Sequence, residues 1–126
     1  MKKIIETSNA PQAIGPYSQA VQVENTLYIS GQIPLDPSSM EIVSEDVEEQ
    51  TKQVMKNVGA IIQEANLDYS HLVKTTILLK SMDDFTKVNE IYASFLEEPY
   101  PARAAFEVSK LPKDVQVEIE AVAYIK

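Results

Sequence analysis

Between Ser44 and Ala65 the residues Val47, Thr51, Val54, Val58, Ile61, Ile62 and Ala65 recur at steps of three and four. That spacing gathers them on one stripe of a helix. Glu45, Asp46, Glu48 and Glu49 stand at its start, where the helix dipole favours acids. The spacing predicts a helix over 44–65. A second helix over 83–96 presents Phe85, Val88, Tyr92, Phe95 and Leu96 and ends at the proline-containing "EEPYP". Most of the remaining chain has a period of two. "KKIIET" reads as a short strand, and "QAVQVENTLYIS" as a hairpin turning at Glu24-Asn25. "LVKTTILLK" sets Val73, Thr75, Ile77 and Leu79 against Leu72, Lys74, Thr76 and Leu78, and its β-branched content favours a strand. "RAAFEV" and "VQVEIEAVAYI" complete the set, joined by the turn "SKLPKD". "SNAPQAIGPYS" reads as a loop carrying Tyr17, and "IPLDPSSMEIV" as a proline-broken connection.

The order β, ββ, α, β, α, ββ predicts an α+β layer fold, a sheet with both helices on one face. The chain has 126 residues, 44% of them hydrophobic, which suits one domain over 1–126 with one core. The second sheet face would display Val, Thr and Ala side chains that so short a chain has no helices left to cover, and self-association is expected.

Composition excludes much chemistry. Eleven basic and nineteen acidic residues give a net charge of −8, the wrong sign for a polyanion partner, so nucleic acid is not expected. There is no cysteine, hence no disulfide, thiolate nucleophile or zinc–thiolate site. Glycines at 15, 31 and 59 make no dinucleotide or phosphate loop. The single histidine, His71 in "DYSHLVK", begins a strand with no suitable triad partner nearby. No metal site is expected. "MKKIIETSNAPQ" lacks the apolar core of a signal peptide, and no apolar run approaches the roughly 20 residues of a membrane span. A soluble, cytoplasmic protein is expected.

What remains is carboxylate, hydroxyl, amide and guanidinium chemistry. Arg103 stands in Pro-Ala-Arg-Ala-Ala-Phe, among small and apolar neighbours. It could pair with Glu118 or Glu120, which share one strand face roughly 7 Å apart, or its planar fork could hold a ligand carboxylate. Asn89 falls at the edge of the second helix's apolar sector, either as a backbone-satisfied amide or as a ligand contact. Ser30, before Gly31 at a strand end, is either a turn serine or a polar ligand contact. Tyr17 follows Gly15-Pro16.

"AIGPYSQAV", "SGQIPLDP", "VNEIYASF" and above all "PARAAFEVSKLPKDVQVEIEAVA" resemble the RidA/YjgF family of reactive intermediate deaminases, formerly called translation inhibitors or L-PSP endoribonucleases. The likeness runs from "SNAP" to the C-terminus. It implies a chorismate-mutase-like α+β fold, a mixed sheet with two helices on one face, and a homotrimer whose sheets form a central barrel with clefts between subunits. It also implies a cofactor-free 2-iminobutanoate/2-iminopropanoate deaminase that converts imines and enamines such as 2-aminoacrylate to 2-keto acids and ammonia. By correspondence with the family pattern, Arg103 clamps the substrate carboxylate and Glu118 holds or activates water. Tyr17, Ser30 and Asn89 line the cleft, Ser30 or Tyr17 assisting proton transfer, and Gly31 offers backbone. Many deaminases of the family have cysteine where this chain has Ala105, whose backbone can still contact ligand. Two other readings stay open, an endoribonuclease and a non-catalytic binding or regulatory module.

Overall fold

A computed structural model describes residues 1–125. Its strands are β1 (Lys2–Ile5), β2 (Ala20–Val23), β3 (Thr26–Gln32), β4 (Leu72–Leu79), β5 (Ala102–Glu107) and β6 (Val117–Tyr124), and its helices α1 (Val47–Glu64) and α2 (Phe85–Ser94). The strands form one sheet in the order β1-β2-β3-β6-β4-β5. Among the described residues the only parallel pair is β4–β5, joined through α2, so the sheet is mixed, as the family resemblance implies. Because two parallel neighbours need a crossover, α2 must run back antiparallel to both.

Both helices pack on one face. Along β6, Val117, Ile119, Ala121 and Ala123 are buried with Leu27 and Ile29 of β3 and Ile77 and Leu79 of β4, against Val54, Val58, Ile61 and Ile62 of α1 and Val88 and Tyr92 of α2. Each fully buried leucine or isoleucine contributes about 1.5–3 kcal/mol by leaving water. Among the described residues no helix covers the other face. It exposes Ile4, Tyr28, Phe106 and Tyr124, and the strand registers place Val21, Thr76, Ala104 and Val122 there too, so the expected uncovered face exists.

The helices are shorter than the pattern predicts, for identifiable reasons. Asp46 is the N-cap of α1 and accepts a hydrogen bond from the Glu49 amide, which leaves Ser44 and Glu45 outside. At the other end Asn66 takes a left-handed conformation (φ 65°), and the Leu67 amide turns back to the Ile62 carbonyl. Before α2, Ser81 caps a single 3-10 turn over Met82–Asp84, which absorbs the predicted first turn. In β4 the predicted alternation fails at its start. A register shift between Leu72 and Lys74 against β6 buries Leu72 and exposes Val73.

Polar side chains inside the protein tie connections to the core. Asn57 of α1 donates to the carbonyls of Ile33 and Leu35 and pins the proline-broken connection. Gln19 donates to the carbonyls of Ala10 and Pro11 and accepts from the Thr7 amide, which fixes the loop leading to Tyr17. Among the described residues no helix is long and apolar enough to cross a membrane.

Tyr69 lies across Gly59 of α1 and donates to the Met55 carbonyl at 2.7 Å. Burial pushes its phenol up to about 12. A Cβ on Gly59 would stand 2.2 Å from the Tyr69 hydroxyl oxygen and 2.8 Å from Cζ. Gly59→Ala therefore has to displace a packed ring, and the expected loss is about 1–3 kcal/mol in urea unfolding. Unchanged stability would mean that Tyr69 leaves its position at no cost.

Candidate active site

The residues named from the sequence divide into two groups. Arg103 of β5 pairs in register with Thr75 of β4, and Ala105 with Ile77. Thr75 and Ile77 are core-facing, so Arg103 and Ala105 lie on the helix side of the sheet. Glu118 and Glu120 pair with Leu78 and Thr76 and lie on the helix-free side. An ion pair between Arg103 and either glutamate within one chain is thus ruled out, which corrects one of the two sequence readings. Among the described residues Arg103 makes no ion pair, and Asn89 is held by Arg103 instead of by backbone groups.

On the helix side, Arg103 Nη1 donates to Asn89 Oδ1. Its guanidinium carbon lies 5.1 Å from the centroid of the Phe85 ring, a cation–π contact. Phe85 and Asn89 are one turn apart on α2 and so approach the same side chain. The helical spacing places Phe85 in the apolar stripe of α2, and its one-turn step to Asn89 is the sequence signal for this second role. Below the arginine, Thr75 Oγ1 and the Tyr92 hydroxyl share a buried 2.6 Å hydrogen bond. Burial raises the Tyr92 phenol, while Thr75 and the Arg103 charge act against the rise. Asn89, Tyr92, Ala93, Tyr100, Pro101 and Arg103 line an open cleft of about 470 Å³.

On the helix-free side, Tyr17 and Ser30 share a second open cleft of about 520 Å³. Tyr17 is positioned by Gly15, whose φ of 117° glycine alone adopts freely, and by the anchoring of its loop through Gln19, a residue the sequence did not single out. Ser30 donates its hydroxyl to the Ser18 carbonyl at 2.6 Å. Its proton is therefore engaged, which leaves its oxygen available as an acceptor. Between Ile29 and Gln32 the β3–β6 register shifts, and the Glu118 carboxylate fills the space beside Gly31. A Cβ at Gly31 would meet Glu118 Oε2 at 1.9 Å. Gly31 therefore supplies more than an open backbone, since it is the notch in which Glu118 sits. Burial, and then the neighbouring Glu120 charge, raise the Glu118 carboxyl. His71 lies apart from both groups and accepts the Asp68 amide at 3.1 Å. Among the described residues no cluster of three or more His, Asp or Glu side chains could hold a metal ion.

The profile of the Endoribonuclease L-PSP family matches residues 7–125. The chain belongs to this family, also called RidA/YjgF. The 2-iminobutanoate/2-iminopropanoate deaminase of Mus musculus is 54% identical over 98% of this chain and 91% of its own length. RidA from an Antarctic Psychrobacter superposes with a TM-score of 0.94 at 46% identity, covering 98% of this chain and 99% of that one. E. coli TdcF, solved with bound serine, superposes with a TM-score of 0.94 at 42% identity over 98% of this chain and 99% of its own. The RidA fold is thus shown by close relatives as well as by topology.

The raised Glu118 carboxyl has a thermodynamic sign. A carboxyl that holds its proton more tightly when folded favours the native state at low pH, and that contribution is lost as pH rises from the unfolded to the folded value. Glu118→Gln removes the cost of holding a charge there. The variant should be more stable than the parent at pH 7, with the difference closing below about pH 4. Thermal unfolding across pH checks this, and a variant less stable at pH 7 would mean that the carboxylate is favourably bound.

Proposed function

We propose that this protein hydrolyses 2-imino acids, and their enamine tautomers such as 2-aminoacrylate, to 2-keto acids and ammonia without a cofactor. The observation that carries the reading is the Arg103 guanidinium at a cleft, oriented by Phe85 and Asn89 and unpaired by any carboxylate among the described residues. A planar fork held in this way matches a substrate carboxylate bidentately. The deaminase name of a relative more than 50% identical supplies the reaction class.

Arg103 and Glu118 lie on opposite faces of one sheet, so a single chain does not present both to one small molecule. We therefore take the working unit to be a homotrimer. The helix-free faces of three copies close on one another as a central barrel, and the Arg103 cleft of one copy meets Tyr17, Ser30, Gly31 and Glu118 of the next. The exposed aromatic residues of that face support such burial.

In that cleft the substrate carboxylate binds Arg103 and its imine carbon lies near the water held by Glu118. Water oxygen bonds to the imine carbon while Glu118 accepts a water proton. Glu118 returns that proton to nitrogen, which gives the tetrahedral carbinolamine, and then carries the hydroxyl proton to nitrogen as the C–N bond breaks, so that ammonia leaves and the carbonyl forms. A raised carboxyl is better matched to this exchange at neutral pH than an ordinary one. The Ala105 amide and Asn89 border the arginine and can orient the ligand. Imines hydrolyse unaided in water, so orientation supplies much of what is needed. Substrates of this kind arise from PLP-dependent enzymes.

The test is keto-acid formation behind a PLP-dependent threonine or serine dehydratase, with and without the protein. Faster release is expected. Arg103→Lys should lose nearly as much of that acceleration as Arg103→Ala, because lysine keeps the charge but not the fork. No acceleration by the parent protein would leave a binding module. RNA binding that falls steeply with salt would favour the endoribonuclease reading, against the net charge of −8.

A further inference from the structure

The cleft on the helix side has more length than an imine of three carbons uses. Since α2 runs antiparallel to β5, moving toward the C-terminus of α2 is moving toward the N-terminus of β5. Asn89 therefore faces Arg103, and Ala93, one turn later, faces Pro101 and Tyr100. Four helical residues advance about 6 Å. The cleft accordingly has a polar end at Asn89 and Arg103 and an apolar end at Ala93, Tyr100 and Pro101. Ala93 is small and half-buried, so it leaves room above the helix. Tyr100 is held between two prolines and is 57% exposed, a large ring kept at the surface on a stiffened segment. The Tyr92 hydroxyl is engaged with Thr75 below the arginine, and Tyr17 and Ser30 belong to the second cleft.

We infer that Tyr100 and Ala93 select the substrate's side chain, and that the site takes 2-imino acids with apolar side chains of three to four carbons in preference to the methyl-bearing one. With the carboxylate on Arg103, a side chain directed along α2 lies over Ala93 and against the Tyr100 ring. A methyl group does not reach that wall and a butyl-sized group does. The inference rests on the proposed carboxylate contact at Arg103, and it concerns residues that take no part in bond making.

The experiment compares kcat/KM on imines generated by an L-amino-acid oxidase from alanine, 2-aminobutyrate and leucine. In parallel, calorimetry gives the affinities of the corresponding 2-keto acids, which need no turnover. The parent protein should prefer the leucine-derived over the alanine-derived compound by about tenfold, the usual yield of a few methylenes in an apolar pocket. Ala93→Leu fills the space and Tyr100→Ala removes the wall, and each should lower that ratio about tenfold. Tyr100→Phe keeps the ring and should keep the ratio. If the parent hydrolyses none of the imines, the proposed reaction fails, and the side-chain inference is then judged on the keto-acid affinities alone. Ratios unchanged within about twofold in both variants, or no binding of any of the three keto acids, would overturn it. So would a change of oligomeric state in Tyr100→Ala, which would assign that ring to a contact between copies.

Discussion

Everything in this molecule is arranged around β6, which lies between β3 and β4 and has two different sides. Val117, Ile119, Ala121 and Ala123 anchor the helices, while Glu118, Glu120, Val122 and Tyr124 point away from them. A strand cannot rotate one residue without moving its whole set of side chains across the sheet. The core therefore fixes where Glu118 points. The same parity, passed through β4 to β5, fixes Arg103 on the opposite side. The packing that stabilises the fold is what puts Arg103 and Glu118 on opposite faces.

That separation gives the helix-free face its meaning. Exposed Tyr28, Phe106 and Tyr124 leave the chain with apolar surface that water does not favour. In the proposed trimer, closing that face against other copies both buries it and completes the cleft. Each half is prepared in advance. Phe85 and Asn89 orient Arg103, Gly31 makes room for Glu118, and Gln19 fixes the loop of Tyr17. Such preparation is what orientation-based catalysis requires.

The long helix was legible because its stripe, its acidic first turn and its cap all agree, and the alternation of β6 gave both its faces correctly. The bulges in β3 and β4 were not legible, since hydrogen-bond register is set by the partner strand and leaves little trace in either sequence alone. For the same reason the parity of Arg103 relative to Glu118 could not be read, and an ion pair looked as reasonable as a ligand site. Phe85 was hidden because a ring serving as a platform for a cation has the same helical spacing as a core residue. Gln19 was hidden because a glutamine before a strand carries no signal until the carbonyls it meets are known. Arg103, Asn89, Ser30 and Tyr17 stand out from their local sequence, while the family resemblance supplies their expected roles and adds Gly31, Ala105 and the role of Glu118; the geometry divides these residues between the two sides of the sheet.

The central claim is that one site takes its arginine and its carboxylate from different copies of the chain. Arg103→Ala and Glu118→Gln proteins, each nearly inactive alone, can be dissociated, mixed in equal amounts and reassembled, and imine hydrolysis measured. Random mixing leaves about one site in four with both groups intact if they come from neighbouring copies, so about a quarter of the parent activity should return. Folded mixed assemblies that remain as inactive as the separate variants would contradict the account, because every site would then depend on both residues of a single chain.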